Sequence, residues 1–156
     1  MFVVDTNVPK AANGGDKINV DADCQEACVD RLESLVCSEI ITIDKGGLIL
    51  DEYSNHFSFS GKPGIGDMFF KYLFDNQYNH NRINQVEIHE SDDEHIGFEE
   101  LPKNKLDPSD RKFLAVAVKA EAIIINATDS DWMEQHSLMK KLGVEVCQLC
   151  PEYAAK

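Results

Sequence analysis

Five acidic side chains stand where they could act together. Asp5 closes the short apolar run Phe2-Val3-Val4, and Asp129 and Asp131 follow the apolar run Ile123-Ile124-Ile125-Asn126. Glu52 lies a little beyond a stretch holding Ile40, Ile41 and Ile43, and Asp110 opens the segment that leads into the Ile123 run. Short apolar runs bounded by polar residues suit buried strands. In a parallel α/β sheet the C-terminal ends of the strands open on one edge, where ligands bind, so these acids converge on one rim from distant parts of the chain. On a helix starting near residue 107, Asp110, Leu114 and Ala117 share one face, and that face carries apolar residues. An acid on a core-facing stripe is costly unless a cation or a metal pairs with it. Several carboxylates in one pocket persist when a divalent cation neutralises them. Oxygen-only ligation suits Mg2+ or Mn2+ better than zinc. Such ions activate water and stabilise the leaving oxygen of a phosphodiester, so the reaction class expected is metal-assisted phosphoester hydrolysis.

The elements that must position these acids follow from periodicity and turn chemistry. Asp23 is expected to cap a helix over 23–36, with Cys24, Cys28, Leu32 and Leu35 on its buried stripe. Strands are expected at 2–4, 39–44, 86–89, 123–126 and 144–149. Helices are expected at about 48–56, 67–77, 107–121 and 130–142, with Asp107 as N-cap and Pro108 in the first helical position of the third. Gly143 ends the last helix, and Asn13-Gly14-Gly15-Asp16 is turn chemistry. Strands alternating with helices argue a three-layer α/β fold with a mainly parallel sheet. No internal repeat or second domain is visible: 1–156 reads as a single domain, with a loop and helix insert at about 54–84 and an acidic connection at about 87–106. The glycine-rich segment 57–66 is neither a P-loop nor a dinucleotide fingerprint, because the glycine spacing is wrong for both.

Composition narrows the function classes. With 28 acidic against 15 basic residues the chain carries −13, which excludes nucleic-acid binding through a broad basic face. Residues 87–100 hold Glu87, Glu90, Asp92, Asp93, Glu94, Glu99 and Glu100 with no Lys or Arg. Together with the five candidate site acids they account for nearly all of the net charge. No apolar run approaches the ~18–20 residues that span a bilayer. The first residues lack the charged region and cleavage site of a secretory signal, so a cytoplasmic protein is expected. Five cysteines, an odd number, read as free thiols in a reducing compartment. Cys24, Cys28, Cys147 and Cys150 could offer four zinc thiolates, against the plainer reading of buried thiols.

Four segments in order resemble the motifs of PIN-domain nucleases: Val3-Val4-Asp5-Thr6-Asn7, Leu50-Asp51-Glu52-Tyr53, Pro108-Ser109-Asp110-Arg111-Lys112-Phe113-Leu114-Ala115-Val116-Ala117, and Thr128-Asp129-Ser130-Asp131-Trp132. The resemblance spans nearly the whole chain. It implies a five-stranded sheet in the order 3-2-1-4-5, an acidic pocket binding Mg2+ or Mn2+, and endonucleolytic cleavage of single-stranded or structured RNA. Asp5, Glu52, Asp110 and Asp129 would hold the metal, with Asp131 a fifth acid acting directly or through water, and Thr6, Asn7 and Thr128 supporting the pocket. The match favours Glu52 over its neighbour Asp51, since adjacent helical residues point about 100° apart. Two features depart from the pattern: Ala127 stands where the family often has Thr, and the insert after Tyr53 is long. Attack by water would leave a 5′-phosphate and a 3′-hydroxyl. The role could be that of a toxin held by an antitoxin, a defence effector or a processing enzyme, and a homodimer fits common symmetry.

Plainer readings stand beside these. Asp110 could complete a capping arrangement with Asp107, and Asp5 could be a turn residue at a strand end. Asp129 could cap the last helix, a role compatible with metal binding. Lys10, Arg111 and Lys112 could touch phosphate, although Arg111 and Lys112 fall off the core stripe and would otherwise face solvent. Phe57, Phe59, Phe69, Phe70 and Tyr72 could stack bases or simply fill core. Rival functions are a PIN-like scaffold that binds a protein partner and cuts nothing, and an aspartyl-nucleophile phosphotransferase. The second needs Asp-x-Asp where this chain has Asp5-Thr6-Asn7.

Overall fold

The computed structural model describes residues 1–15 and 18–155. β1 (Phe2–Val4) runs into α1 (Asn7–Asn13), and α2 (Ala22–Ser38) leads to β2 (Ile41–Asp44). Then follow α3 (Leu48–Ser54), α4 (Ile65–Asn76) and β3 (Ile83–Val86). After a long irregular stretch come α5 (Arg111–Ala120), β4 (Ile123–Asn126), α6 (Asp131–Glu134), α7 (His136–Leu142), β5 (Val146–Gln148) and α8 (Pro151–Ala154). The five strands form one sheet in the order β3-β2-β1-β4-β5, with every pairing parallel. Helices cover both faces, giving the expected three-layer α/β/α architecture. Val3, Val4, Ile41, Ile43, Ile124 and Ile125 are all buried, which is why the strands read as continuous apolar runs rather than alternating ones.

The order of the sheet positions the site. From β1 the chain builds one way through β2 and β3, then crosses to β4 and β5 on the other side. The crevice beyond the C-terminal ends of β1 and β4 is therefore a topological switch point. Val4 pairs with Ile125, and the Asp5 backbone N–H continues the ladder to the Ile125 carbonyl at 3.0 Å. Asp5 and Asn126 thus leave the sheet side by side.

Several local expectations are corrected. The cap of α2 is Asp21, not Asp23: Asp21 has extended backbone and its side chain accepts from the Cys24 N–H at 2.8 Å. The third strand lies at Ile83–Val86, upstream of the expected 86–89. Its middle residues Asn84 and Gln85 are polar and only partly buried, so the apolar signal pointed past the strand. Residues 107–110 form a separate turn instead of the first turn of α5. The Asp107 carboxylate accepts the Ser109 N–H and hydroxyl, and the Asp110 N–H reaches the Asp107 carbonyl at 2.9 Å. The last long helix breaks at Gln135 into α6 and α7, while Gly143 ends α7 in the left-handed region as expected. The short helices α1 and α8 were not read from the sequence. The turn expected at 13–16 is seen as far as Gly15; Asp16 lies outside the described residues.

One close approach fixes α1 against α4. A Cβ on Gly66 would sit 1.9 Å from the Pro9 carbonyl oxygen, so only glycine lets the two helices meet there. Asn13, the last residue of α1, accepts the Asp67 N–H in the first turn of α4 at 3.1 Å. That bond supplies the cap which Gly64, lacking a side chain, cannot.

The acidic connection is more than a solvated strap. Glu90 bridges to Phe98, and Phe98, Leu101 and Leu106 are buried. Arg111 donates to the Glu94 carbonyl at 2.7 Å and to Asn104 Oδ1 at 3.1 Å. The expectation of a solvent-facing Arg111 free to meet phosphate is overturned, because the guanidinium is buried and holds the loop instead. Among the described residues no helix is long and apolar enough to cross a membrane.

A candidate metal centre at the sheet edge

Asp5, Asp110 and Asp129 each present a carboxylate oxygen within 4.8 Å of the others. Three different devices bring them there. Asp5 leaves β1 with its carboxylate held from two sides: Oδ1 accepts the Asn7 N–H at 3.2 Å and Oδ2 accepts the Trp132 indole N–H at 2.6 Å. Asp129 is set by Asn126, whose side chain accepts the Asp129 N–H at 3.3 Å and donates to the Asp129 carbonyl at 2.8 Å. Asp110 stands immediately before α5, and its carbonyl accepts the Phe113 and Leu114 N–H groups. Its side chain makes no capping bond, so the capping reading does not hold and the carboxylate is left to face the other two.

Asn7 ties these devices together. Its amide donates to Asn126 Oδ1 at 2.8 Å and accepts the backbone N–H groups of Ala127 at 2.8 Å and Thr128 at 3.1 Å. The end of β1 is thereby locked to the loop that carries Asp129. Thr128 enters this network through its backbone.

The other expected residues divide. Glu52 faces the site and Asp51 faces solvent, but Glu52 is not in the group of three. It accepts from the Thr6 hydroxyl and pairs with Lys112 Nζ at 2.7 Å. Lys112 also donates to the Ser109 carbonyl at 2.6 Å, so it sits at the rim of the site rather than in open solvent. Asp131, at the start of α6, lies outside the group of three, and its N–H donates to Asp129 Oδ1 at 2.9 Å. Lys10 lines a small cavity of about 110 Å³ with Asn13, Asn55, His56 and Phe57 instead of contacting the acids.

Burial and mutual repulsion set the electrostatics. Burial pushes the Asp5 carboxyl up to about 7, against the pull of the Trp132 hydrogen bond, and the Asp129 charge adds to the rise. Burial, then the charges of Asp5 and Asp129, push Asp110 up to about 9. Asp131 is raised by burial and then by Asp129. With no cation among them, Asp110 keeps its proton at neutral pH and Asp5 is only partly ionised; a divalent cation removes the reason for that rise. The donor set is all oxygen, which fits Mg2+ or Mn2+.

Sequence reading missed the part played by three residues. Trp132 sits inside the fourth quoted segment, but its bond to Asp5 spans 127 positions. Asn126 is the one polar residue ending an apolar run, a signal that could have been used. The Tyr53 hydroxyl donates to the Val4 carbonyl at 2.7 Å, just before Asp5. Asp44, another acid at a strand end, takes no part in the site, because its carboxylate accepts the Leu48 and Ile49 N–H groups and caps α3. Of the five aromatics considered for base stacking, Phe57, Phe69 and Phe70 are buried and only Phe59 is exposed.

The cysteines need the largest correction. Cys24 and Cys150 form a disulfide, and Cys28, Cys37 and Cys147 are free. The all-free-thiol reading fails, and with it the premise from which a reducing compartment was inferred. Cys28 adds a third sulfur within 4.8 Å of the pair, and burial pushes its thiol up to about 12. Such a group could chelate a soft cation when reduced, but Cys147 lies outside it, so the alternative of four zinc thiolates does not form, and Cys28 alone keeps the plainer reading of a buried free thiol. No protein-family model matches this chain, and no curated protein or solved structure matches it.

Proposed function

We propose that this protein is a Mg2+- or Mn2+-dependent endoribonuclease of PIN type. The observation that carries the reading is the triad of buried Asp5 and Asp110 and half-buried Asp129 at the switch point of a parallel sheet, with oxygens within 4.8 Å of one another. Two further facts support it. The observed strand order is the one the four-motif resemblance implies, and among the described residues no Lys or Arg forms an ion pair with the triad, Lys112 being paired with Glu52.

In this reading Asp5, Asp110 and Asp129 hold the ion, and Asp131 is close enough to Asp129 to act through water. When bound, the ion supplies charge neutralisation at the scissile phosphate and an acidified water. Asn7 and Asn126 keep the Asp5 and Asp129 backbones in register while the charge between them changes. Lys112, held between Glu52 and the Ser109 carbonyl, is placed to meet a phosphate oxygen of the strand entering the rim. Water oxygen bonds to phosphorus as the bond to the 3′ oxygen breaks; that oxygen leaves as a hydroxyl after taking a proton, and the other product carries a 5′-phosphate.

The test uses end-labelled single-stranded RNA with Mn2+. The wild type should cleave it and chelation should stop the reaction. Asp5→Asn and Asp110→Asn should each lose on the order of 100-fold or more in rate, the scale at which removing a key electrostatic group acts. Equal cleavage by wild type and both variants would reject the site. Calorimetry that detects no Mn2+ binding would favour the non-cutting scaffold instead.

A further inference from the structure

We infer that Trp132 is a positioning residue for Asp5: its indole N–H selects the rotamer in which the carboxylate faces Asp110 and Asp129. The inference rests on the metal reading above and concerns a residue outside the acidic triad. Trp132 is the only tryptophan in the chain, and both it and Asp5 are almost wholly buried. An indole N–H can donate and cannot accept. Its 2.6 Å bond to Oδ2 therefore favours a carboxylate that keeps its negative charge, the form a cation needs. The Asn7 N–H restrains Oδ1 more loosely, at 3.2 Å. With one donor on each oxygen, the plane of the carboxylate is fixed by two bonds rather than one.

The indole is also coupled to the second acid. Trp132 follows Asp131, whose N–H donates to Asp129 Oδ1. One short helix thus orients Asp5 through the ring and Asp129 through its backbone. This is the arrangement in which outer groups tune metal affinity, typically by about 10- to 100-fold. Trp132 borders a groove of about 310 Å³ lined by Met139, Val144 and Val146, so its packing contribution and its hydrogen bond can be separated by substitution.

The experiment measures Mn2+ affinity by calorimetry for the wild type, Trp132→Phe and Met139→Ala. Trp132→Phe removes the N–H, while Met139→Ala loosens the same groove with the indole intact. Trp132→Phe should weaken Mn2+ binding by about 10-fold or more, and Met139→Ala should leave it within about twofold even where its melting temperature falls. Because the chain has one tryptophan, its single indole N–H resonance should shift as Mg2+ is added and saturate with the same affinity. In Asp5→Asn that resonance should start elsewhere and stop responding. If the wild type binds Mn2+ and Trp132→Phe binds it equally well, the positioning role is overturned and the metal site stands. An indole resonance that stays still while Mg2+ saturates the wild type overturns it as well, without needing the variant to fold. If the wild type binds no Mn2+, the metal reading falls and takes this inference with it.

Discussion

At the residue scale, the chemistry of the rim is a competition for donors and cations. Asp44 and Asp5 both end strands, yet Asp44 is satisfied by two helix N–H groups and Asp5 by an indole and one peptide. Glu52 is claimed by Lys112 and Thr6. Asp110 has no such partner, and its carboxyl is raised to about 9 by burial and then by Asp5 and Asp129. The consequence for stability has a definite sign. Between the usual carboxylate range near 4 and the raised values of about 7 for Asp5 and about 9 for Asp110, the folded chain keeps protons that the unfolded chain has lost. Stability of the metal-free protein must then fall as pH rises through that window. We expect its melting temperature to drop by roughly 5–10 °C between pH 5 and pH 8, and the drop to be much smaller in Asp110→Asn or with Mn2+ present. Thermal scans in chelator across pH check this. An unchanged slope in Asp110→Asn would count against the cluster.

At the scale of elements, the site depends on how closely α1 approaches α4, because Asn7 opens α1 and locks the Asp129 loop. Gly66→Ala places a methyl against the Pro9 carbonyl, a backbone atom that cannot rotate away. The strain should cost about 1–3 kcal/mol, more than the ~1 kcal/mol that alanine gains over glycine in a helix. Urea unfolding should show the lower midpoint, and Mn2+ affinity should fall alongside it as α1 shifts. A Gly66→Ala protein as stable as wild type would mean that α1 yields freely. The elements legible in the sequence are those whose burial is two-sided or strongly one-sided: β1 and β4 as apolar runs, and α2 through Cys24, Cys28, Leu32 and Leu35. Those that were misplaced have a local cause. β3 is partly polar; α5 starts late because Asp107 closes a turn of its own; α1 and α8 are too short for a helical period to show.

For the whole molecule, the disulfide joins the start of α2 to the segment after β5 across 126 positions. Two residues before Cys150, Gln148 ends β5 and its side chain accepts from Asn126 at 2.6 Å, so the same covalent tie steadies the strand beside Asp129. Cys150→Ser, or a dithiol reductant added to the wild type, should lower stability by about 2–4 kcal/mol. Matching urea midpoints for the variant and the reduced wild type would show that the bond itself is responsible. A wild-type midpoint unmoved by full reduction would show that it contributes nothing. The charge of −13 also resolves into parts with different fates. The triad is largely buried and suited to a cation, whereas the acids of 87–100 ride on a loop held by Arg111.

The amino-acid order alone determined which residue types stand at the strand ends, the alternation of strand and helix, and hence the edge where acids would gather. Those are local matters, set by hydrophobic period and by where apolar runs stop. Only the tertiary structure decided which acids share a pocket. It sent Glu52 to Lys112, Asp44 to the start of α3 and Arg111 into the acidic loop, brought Trp132 to Asp5, and paired Cys24 with Cys150. Each outcome depends on distances between side chains far apart in the chain and on competition among neighbours for the same donors. Neither is written in the spacing of any one segment.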